Sequence, residues 1–449
     1  MLKHSQFNHL VQIPGEEVWA LCNFRRSSII KLSPAQKKIF DLAPFLHEDV
    51  LKDVPLVHVW EEGGFLVDEN LDEVAQLRAS VEQYHHEFSS GAQKRSLELV
   101  VAVTSACNFA CPYCFQDRRG GPMAPDVRGA LVRFVERRLA SGQHDHLGVE
   151  WFGGEPLLAP DIIDELSTQF MSLAERFGVG YSAMIHTNGY LLDQPMVDFL
   201  EERAVKAAIV PLDSMAEAHN KTRHLHNGGP TFERIIENLR SIRTSMFVNV
   251  RNNLHVGSLD NFDELCETIE AIAKENGTNI RCSPARMHRN AASTARGDTT
   301  EIITRDQYEQ TLTRADLPAK MKVFYPRLFP CVAALANEMY IDDLGNIYPH
   351  CSTYSASPTR AVGNVLDEDA GGPDAWLTRI EEAARSYRFP SDQQKCLACK
   401  YLPCCLGGCP IDRILTGEAQ CPAELFDPDG FVLSSLETHS EEGNCIKTK

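Results

Sequence analysis

The sequence lacks an excess of positive charge, a long apolar run and an export signal. Its 449 residues carry 44 Lys and Arg against 62 Asp and Glu, a formal net charge of −18, whereas an extended nucleic-acid surface needs a basic stripe. No uncharged apolar run reaches the roughly 18 residues of a membrane-spanning helix. The start of the chain has no apolar core of a signal peptide. We therefore expect no nucleic-acid partner, no membrane span and a reducing cytoplasm as the compartment.

Cysteine is the residue that the chain has in abundance, with 15 in all. Three lie within eight residues, between Cys107 and Cys114, and eight more lie between Cys331 and Cys421. A disulfide scaffold is typical of short secreted chains, and this chain is long and has no export signal. Cysteines grouped in a reducing compartment indicate metal binding instead.

The length predicts two or three domains of roughly 150 residues each. Composition changes divide the chain into residues 1–95, a small α+β domain, and residues 96–290, which alternate strand and helix. Residues 291–330 form a polar bridge, and residues 331–449 hold the second group of cysteines and little periodic structure. Small domains with few apolar residues often use metals as staples.

Six apolar strand-like runs alternate with helix-length segments after residue 96, which predicts parallel βαβ units with right-handed crossovers. Polar motifs follow these strands directly, and in a βα barrel the loops after the strands gather at the face that carries the chemistry. The predicted strands are Leu97–Val103, Leu147–Trp151, Tyr181–Ile185, Val205–Val210, Phe247–Val250 and Asn279–Cys282, and the clearest helices span residues 125–140, 161–177, 231–243 and 258–275.

The amino-terminal ninety-five residues are predicted as short strands and helices. Strands are expected at Val18–Cys22 and Ser28–Leu32, and Ser33-Pro34 indicates the start of a helix. A further strand-like stretch covers Val57–Val67, and a helix is expected over Leu71–Phe88.

The first cysteine group has the spacing C-x3-C-x2-C and reads Cys107-Asn-Phe-Ala-Cys111-Pro-Tyr-Cys114. Three thiolates in one loop leave the fourth iron of a cubane [4Fe–4S] cluster without a protein ligand, and a small molecule can occupy it. The alternative is a zinc loop or an unligated thiol loop. Structural zinc needs a fourth ligand, and none is supplied locally. The triplet, with Tyr113 before its last cysteine, resembles that of the radical S-adenosylmethionine (radical SAM) enzymes.

This resemblance implies a partial (β/α)6 TIM-like barrel of the α/β class. It also implies that SAM chelates the open iron, beside Tyr113, and that one electron cleaves it to a 5′-deoxyadenosyl radical. Gly153-Gly154-Glu155-Pro156 resembles the family's GGEP motif, which binds the SAM amino group, although turns use the same residue types. Thr187-Asn188-Gly189 resembles the family's Thr-Asn-Gly segment near the cofactor, and an ordinary strand-exit turn is the alternative.

The motif after the fourth predicted strand departs from the family. Related peptide-modifying enzymes have Ser-Leu-Asp-Gly there, and this chain has Pro211-Leu-Asp-Ser214, so the serine contact to the SAM ribose is not carried over. Downstream, His219-Asn-Lys-Thr-Arg223 resembles the family's His-Asp-x-x-Arg stretch, in which the arginine reaches the SAM carboxylate. A guanidinium suits that pairing, and a surface helix charge is the alternative.

The second cysteine group resembles the seven-cysteine SPASM extension of radical SAM peptide maturases, which holds two auxiliary [4Fe–4S] clusters. By the family's pattern, one cluster takes four cysteines and the other takes three, with Asn337 where some relatives have a fourth. A zinc ribbon would use four of the seven, and the adjacent Cys404 is a surplus thiol or a buried apolar one. The expected ligands are Cys396, Cys399, Cys405 and Cys421 for one cluster and Cys331, Cys351 and Cys409 for the other.

The resemblance implies a maturase that abstracts hydrogen from a ribosomally made peptide or protein and oxidatively installs a crosslink, such as a thioether or carbon–carbon bond. It implies a reducing partner such as flavodoxin or ferredoxin. Residues 1–95 are similar in size and position to leader-peptide-binding domains, and a packing extension is the alternative. An iron–sulfur electron carrier is the non-enzymatic alternative.

Formylglycine formation on a sulfatase is the enzymatic alternative. Anaerobic sulfatase maturases carry a catalytic Asp directly after the second SPASM cysteine, and this chain has Ser352 there. His350, Tyr348 or a solvent path would then take the proton, and the sequence assigns no catalytic residue.

Overall fold

The computed structural model describes most of the chain and divides it into two compact units. The first comprises Met1–Glu87, Pro318–Cys331 and Ser386–Lys449, and the second comprises Phe88–Leu317 and Val332–Arg385. The domain boundaries predicted at residues 95, 290 and 330 stay predictions. The described residues are 1–51, 54–90, 96–116, 119–287, 299–303, 338–349, 361–367, 375–410 and 428–439, with 307, 311, 328, 331, 334, 335, 413 and 417–419.

The described residues form both strands and helices, numbered here in chain order. The strands are β1 (Leu2–His4), β2 (Asn8–Gln12), β3 (Trp19–Asn23), β4 (Ser28–Leu32), β5 (Leu66–Asp68), β6 (Ser96–Thr104), β7 (His146–Gly153), β8 (Gly180–His186), β9 (Val205–Pro211), β10 (Phe247–Leu254), β11 (Ile280–Arg286), β12 (Glu338–Ile341), β13 (Asn346–Pro349) and β14 (Gly363–Asn364). The α-helices are α1 (Pro34–Leu42), α2 (Glu48–Leu51), α3 (Pro55–Glu62), α4 (Glu73–Ser90), α5 (Pro125–Ala140), α6 (Pro160–Phe177), α7 (Gln194–Glu202), α8 (Ala216–Thr222), α9 (Phe232–Ser241), α10 (Phe262–Asn276), α11 (Ala375–Arg388), α12 (Gln394–Leu397), α13 (Leu402–Cys405) and α14 (Pro428–His439).

The second unit is built on one sheet with the order β11-β10-β9-β8-β7-β6-β12-β13-β14. Strands β6 to β11 are all parallel and follow each other in sequence, so the predicted six-unit α/β partial barrel is confirmed. Strand β12 adds a parallel neighbour to β6, and β13 and β14 continue antiparallel. This three-strand extension was not predicted, because its strands are only two to four residues long.

One face of the sheet packs against helices and forms the core. Trp151 of β7 lies parallel to Phe170 of α6, with ring centroids 6.3 Å apart, and both are fully buried. Helix α6 begins with a proline at its first turn and ends at Gly178, whose φ of 66° is the left-handed conformation that glycine adopts readily. Because side chains alternate along a strand, the neighbours of Trp151, Glu150 and Phe152, lie on the opposite, concave face.

The amino-terminal part of the first unit contains an antiparallel sheet of order β2-β3-β4. Helix α1 begins at a capping box in which Ser33 and Gln36 exchange hydrogen bonds, as the Ser-Pro signal predicted. The predicted strand over Val57–Val67 is wrong for most of its length, because α3 occupies Pro55–Glu62 and only β5 is extended. Pro55 pre-sets the first helical turn, and Val57 and Trp60 are buried at helical spacing.

Two apolar clusters join the amino-terminal segment to the carboxy-terminal cysteine segment within the first unit. The first contains the fully buried Phe7 together with Cys396, Leu402 and Leu406. The second contains Phe24 with Cys404 and with residues of α14. Polar contacts reinforce them, since Arg388 Nη1 lies 3.1 Å from Glu82 Oε2. Residues far apart in sequence therefore share one core.

Among the described residues, no helix is both long and apolar enough to cross a membrane.

Candidate functional site

The cysteine triplet lies in the loop that leaves the carboxyl end of β6, as the sequence predicted. Phe109, in the middle of the triplet, is 2% exposed and anchors the loop in the core, and its backbone N–H lies 3.4 Å from Cys107 Sγ. Burial raises the pKa of Cys111 to about 12, and the neighbouring Cys114 and Cys107 act in the same direction, while Arg223 opposes it. The three thiols are thus close together, and the bare Cys111 thiol holds its proton at neutral pH. Iron would replace that proton.

The glycines after β7 bring that loop into backbone contact with the cysteine loop. Gly153 has a φ of 127°, and a Cβ on it would lie 2.2 Å from the carbonyl oxygen of Thr104. A Cβ on Gly154 would lie 2.2 Å from the carbonyl oxygen of Ala106. The backbone N–H of Glu155 donates to that same Ala106 carbonyl at 2.8 Å. The Gly-Gly pair is therefore required by the close approach of two loops.

Glu155 is fully buried and ties the loop after β7 to the loop after β8. One carboxylate oxygen accepts from Thr187 Oγ1 at 2.7 Å and from the Leu157 backbone N–H at 3.1 Å. The other accepts from the Asn188 backbone N–H at 2.6 Å. Burial raises the pKa of Glu155 to about 6, and these hydrogen bonds oppose the rise. The carboxyl group thus holds the second and third loops in register.

Asn188 extends this network into the cysteine triplet. Its Nδ2 donates to Asn108 Oδ1 at 2.7 Å, and its Oδ1 accepts from the Tyr190 backbone N–H at 3.0 Å. Because Asn108 follows Cys107 directly, the loop after β8 fixes one end of the triplet. The structure therefore brings Gly153, Gly154, Glu155 and Asn188 together around the three cysteines.

Tyr113 and Arg223 meet at a buried carboxylate that the sequence analysis did not name as a site residue. The Tyr113 hydroxyl donates to Asp213 Oδ2 at 2.5 Å and accepts from Arg223 Nη1 at 2.9 Å. Asp213 is fully buried, and its two oxygens also accept from Thr222 Oγ1 at 2.7 Å and from Asn253 Nδ2 at 3.1 Å. The position of Asp213 directly after β9 was the signal that could have identified it.

His219 supports this network as a neutral ring. Burial lowers its pKa to about 3, so Nδ1 accepts from the Asp213 backbone N–H at 3.3 Å, and Nε2 donates to Thr231 Oγ1 at 3.1 Å. The Thr231 hydroxyl in turn donates to the Arg223 carbonyl. His219 and Arg223 are therefore buried, and Arg223 is not a solvated helix charge.

Several buried polar atoms beside this network have no hydrogen-bond partner in the described part of the chain. Both amide atoms of Asn252, the Ser214 hydroxyl, Arg223 Nε and His255 Nε2 are in this position. Asn252 and Ser214 are fully buried. Buried polar groups are nearly always paired, so their grouping at the carboxyl ends of β9 and β10 fits a polar ligand. Together with the three thiols, these groups suit a cluster-bound SAM molecule.

Three of the second group's cysteines, in the first unit, line one small cavity. Cys396, Cys399 and Cys405 surround it with Leu402 and Gly407. Burial raises the pKa of Cys405 to about 11, opposed by the backbone N–H of Gly407 and reinforced by Cys399 and Cys396. These thiols fit the soft donor set of an iron–sulfur cluster.

The turn after Cys405 aims backbone N–H groups at its sulfur. Leu406, Gly407 and Gly408 all have positive φ, at 46°, 84° and 76°. Successive N–H groups in such a turn form a concavity that suits an anionic group, here a thiolate and its cluster. Helix α13, which carries Cys405, ends at this turn.

Of the remaining four cysteines of the set, the structure describes two. Cys331 is half-buried and Cys409 is exposed, while Cys351 and Cys421 lie outside the described residues, as do Asn337, His350 and Ser352. Cys404 packs in the apolar cluster that contains Phe24, and Cys404 Sγ lies 3.8 Å from the Phe24 carbonyl oxygen.

Across the described residues, no three His, Cys, Asp or Glu side chains converge as the ligands of a single metal ion would. Thiols at the corners of a cubane do not have to converge on one atom, because each binds a different iron.

Comparison with known proteins agrees with this fold and site. Residues 101–272 match the model of the Radical SAM superfamily. The chain is 22% identical over 276 residues to the radical SAM cyclopropyl synthase TigE of Paramaledivibacter caminithermalis, covering 58% of this chain and 54% of the synthase. It is 26% identical over 141 residues to the cysteine-type anaerobic sulfatase-maturating enzyme of Clostridium perfringens, covering 30% of this chain and 38% of that enzyme. The chain thus spans about half or less of these curated relatives.

Two solved structures are similar over most of the chain. Native anSMEcpe with bound AdoMet and Cp18Cys peptide has a TM-score of 0.53 at 17% identity, covering 77% of this chain and 99% of that one. Streptococcus suis SuiB bound to precursor peptide SuiA has a TM-score of 0.50 at 16% identity, covering 94% and 98%. These likenesses show the same fold.

The fold and the site define a partial-barrel protein whose strand-end loops bring together three cysteines and a buried polar network. Residues 101–272 carry a radical SAM domain, as the sequence resemblance predicted, and the fold is that of the two solved structures. A radical SAM domain implies one [4Fe–4S] cluster and SAM.

Proposed function

We propose that this chain is a radical SAM/SPASM maturase that oxidatively modifies a ribosomally made peptide or protein. The observation that carries the proposal is the convergence of the thiol triplet, Glu155 and the Tyr113–Asp213–Arg223 network beside the unpartnered Asn252. When bound, the cluster and SAM supply hydrogen-atom abstraction; the chain positions them and excludes water. Cys107, Cys111 and Cys114 would hold the cluster, Glu155 the SAM ammonium group and Arg223 its carboxylate.

The proposal includes two auxiliary clusters in the SPASM segment. The cavity lined by Cys396, Cys399 and Cys405 supports one of them, and Cys421 would be its fourth ligand. Cys331, Cys351 and Cys409 would hold the other. An iron–sulfur electron donor or a flavodoxin would reduce the enzyme in the cytoplasm, and the expected product is a thioether or carbon–carbon crosslink.

A leader-binding role for the amino-terminal segment belongs to the same proposal. Within the described residues, β4 pairs only with β3, which leaves one strand edge for an extended peptide. Large apolar side chains are exposed in the same segment, led by Phe45 at 82%, with Leu42 at 54% and Val50 at 57%. Large apolar side chains left on the surface support an interaction site in this segment. A precursor held there would have a raised effective concentration at the barrel.

Sulfatase maturation is the second candidate, because the chain is similar to cysteine-type and serine-type sulfatase-maturating enzymes. Ser352, where those enzymes carry a catalytic Asp, weighs against it. The first test is therefore an assay of the reconstituted chain with two sets of peptides. One set holds sulfatase peptides with Cys or Ser at the target position, and the other holds short peptides encoded beside the gene.

The expected result is 5′-deoxyadenosine formation and a mass loss of hydrogen in a peptide of the second set. Formylglycine in a sulfatase peptide would establish the second candidate instead. A chain that binds iron but forms no 5′-deoxyadenosine would be an electron carrier. Changing Cys107, Cys111 and Cys114 together to Ala should abolish SAM cleavage and lower the iron content from about twelve to about eight by cubane stoichiometry.

A further inference from the structure

A histidine–carboxylate pair lies on the concave face of the barrel sheet, outside the network described above. His186, the last residue of β8, places Nε2 2.9 Å from Glu150 Oε1 of β7. Its ring meets Phe152 edge-on, with centroids 5.3 Å apart. The His186 and Glu150 side chains are 25% and 22% exposed, so the pair is accessible to a ligand.

The alternation of the strands shows which face the pair occupies. Trp151 and Ile185, the residues next to Glu150 and His186, are fully buried in the core beneath the helices. Because successive side chains of a strand point to opposite faces, Glu150, Phe152 and His186 line the concave side. That side is where a barrel of this kind is open to a substrate.

The pair also lies directly below the loops proposed to bind SAM. His186 is followed by Thr187 and Asn188, which hold Glu155. Phe152 is followed by Gly153, which contacts the start of the cysteine loop. A group on the concave face at this height is within reach of a substrate atom presented to the cofactor.

His186 is placed as a base beside a carboxylate. Its Nε2 lies at ion-pair distance from Glu150 Oε1, and Nδ1 makes no hydrogen bond to any described residue. Glu98 and Glu338, on neighbouring β6 and β12, are opposite each other one layer below. Burial, Glu98 and Glu150 raise the pKa of Glu338 to about 7. The pair therefore lies beside a group of carboxyl side chains that interact with one another.

The other base that the sequence analysis considered in the described residues is not available. Tyr348 is fully buried, and its hydroxyl donates to Asp342 Oδ2 at 3.2 Å. Burial and Asp342 raise the pKa of Tyr348 further above its usual value. A buried hydroxyl already held by a carboxylate cannot take a proton from a substrate.

We propose that His186, oriented by Glu150, is the catalytic base that accepts a proton from the peptide substrate. The inference rests on the proposed function and names the base that Ser352 does not supply. In this step an N–H, O–H or S–H bond of the substrate breaks, its electron pair stays on the heteroatom, and the proton moves to Nδ1. One proton and no electron are transferred, and the imidazolium is neutralised by Glu150.

The position of His186 is tested without any peptide. His186→Cys places an exchangeable thiol at the site, and in D2O this thiol becomes S–D. If the site faces the reacting carbon, SAM cleavage transfers deuterium from sulfur to that carbon, leaving a sulfur radical that the assay reductant quenches. Mass spectrometry of 5′-deoxyadenosine should then show a singly deuterated fraction several-fold above that of the wild-type chain, whose own cysteines set the baseline.

His146→Cys is the matched control for this label. His146 is the first residue of β7, at the other end of the sheet, and its Nε2 lies 2.9 Å from Ser182 Oγ. His146→Cys should give the same deuterated fraction of 5′-deoxyadenosine as the wild-type chain. Wild-type label in His186→Cys would overturn the proposal, whereas absence of 5′-deoxyadenosine in the wild-type chain would overturn the proposed function itself.

The role as a base is tested with a peptide that the wild-type chain modifies. In His186→Gln, product formed per 5′-deoxyadenosine should fall at least about tenfold, since general bases contribute factors of this size or more. Iron content should stay unchanged, and dividing by 5′-deoxyadenosine removes any change in SAM cleavage from the comparison. Glu150→Gln should lower the same ratio less, and His146→Gln should leave it unchanged. An unchanged ratio of product to 5′-deoxyadenosine in His186→Gln would overturn the role. If His186→Gln does not fold, an unchanged ratio in Glu150→Gln would overturn it instead.

Discussion

At the scale of single residues, Glu155 combines a structural task with a proposed ligand contact. It accepts three hydrogen bonds that join the loops after β7 and β8, and it is proposed to receive the SAM ammonium group. Glu155→Gln keeps the size of the side chain and removes its charge. We expect SAM affinity to fall at least about tenfold, because a charge-assisted hydrogen bond is worth about 1.5–3 kcal/mol.

The measurement is an equilibrium titration with SAM, together with the iron content, which should not change. Glu165→Gln is the matched control, since Glu165 is an exposed partner of Arg128 on the helix side. Equal SAM affinity in Glu155→Gln and the wild-type chain would mean that the ammonium group binds elsewhere.

The same carboxyl group predicts a pH dependence of stability. Burial raises the pKa of Glu155 from 4.5 to about 6, so the folded chain keeps this proton at a pH where the unfolded chain has lost it. Stability from this group is therefore present below pH 4.5 and lost as pH rises through about 6, by about 2 kcal/mol. Thermal unfolding of the apo chain should show this loss in the wild type and not in Glu155→Gln. Parallel pH profiles for the two chains would contradict it.

At the scale of elements, the turn after α13 determines whether an auxiliary cluster can be held. Gly407 has a φ of 84°, and a Cβ on it would lie 2.7 Å from Pro390 Cβ and 2.9 Å from Arg413 Nη1. Gly407→Ala should therefore displace the N–H groups beside Cys405 and lower the iron content by about four, one cubane cluster.

Gly417 provides the control for that substitution. Its φ is 76°, but a Cβ there would meet nothing within 4 Å. Gly417→Ala should carry only the backbone cost of about 1–2 kcal/mol and keep its iron. Equal iron contents in the two variants, measured per folded chain, would argue that this turn does not support a cluster.

The elements that sequence predicted well are those with a strong local signal. Helix α5 occupies Pro125–Ala140 as predicted, and all six barrel strands are present, because each combines an apolar run with turn residues at its ends. Strand β12 was missed because it is held by pairing with β6, more than two hundred residues away in sequence. Helix α3 was mistaken for a strand because Val57 and Val59 favour strands locally, whereas burial of Trp60 favours the helix.

The site shows the same division between local motif and tertiary contact. The cysteines, Glu155 and Arg223 belong to short motifs, so their spacing predicted them. Asp213 belongs to the motif after β9 and His186 belongs to no motif, and only the folded chain reveals their partners Tyr113 and Glu150. Side-chain partners more than thirty residues apart leave no pattern in a single sequence.

At the scale of the whole molecule, the first unit combines the two ends of the chain. The amino-terminal segment, predicted as a separate domain, contributes Phe7 and Phe24 to the clusters that contain Cys396 and Cys404. His9 of β2 lies 2.8 Å from Lys400 Nζ, and its other nitrogen lies 2.6 Å from Asp429 Oδ1. Both a packing role and a peptide-binding role for this segment are compatible with these contacts, and they involve different side chains.

The two roles are separated by a pair of phenylalanine substitutions. Phe7 is fully buried next to Cys396, whereas Phe45 is 82% exposed. Phe7→Ala should cost about 3–5 kcal/mol and release auxiliary iron, because it opens a cavity in the core that supports the cysteines. Phe45→Ala should keep its iron and SAM cleavage but weaken binding of a precursor peptide, measured by fluorescence anisotropy. If Phe45→Ala binds the peptide as the wild type does while Phe7→Ala loses iron, the segment supports the clusters and the leader binds elsewhere.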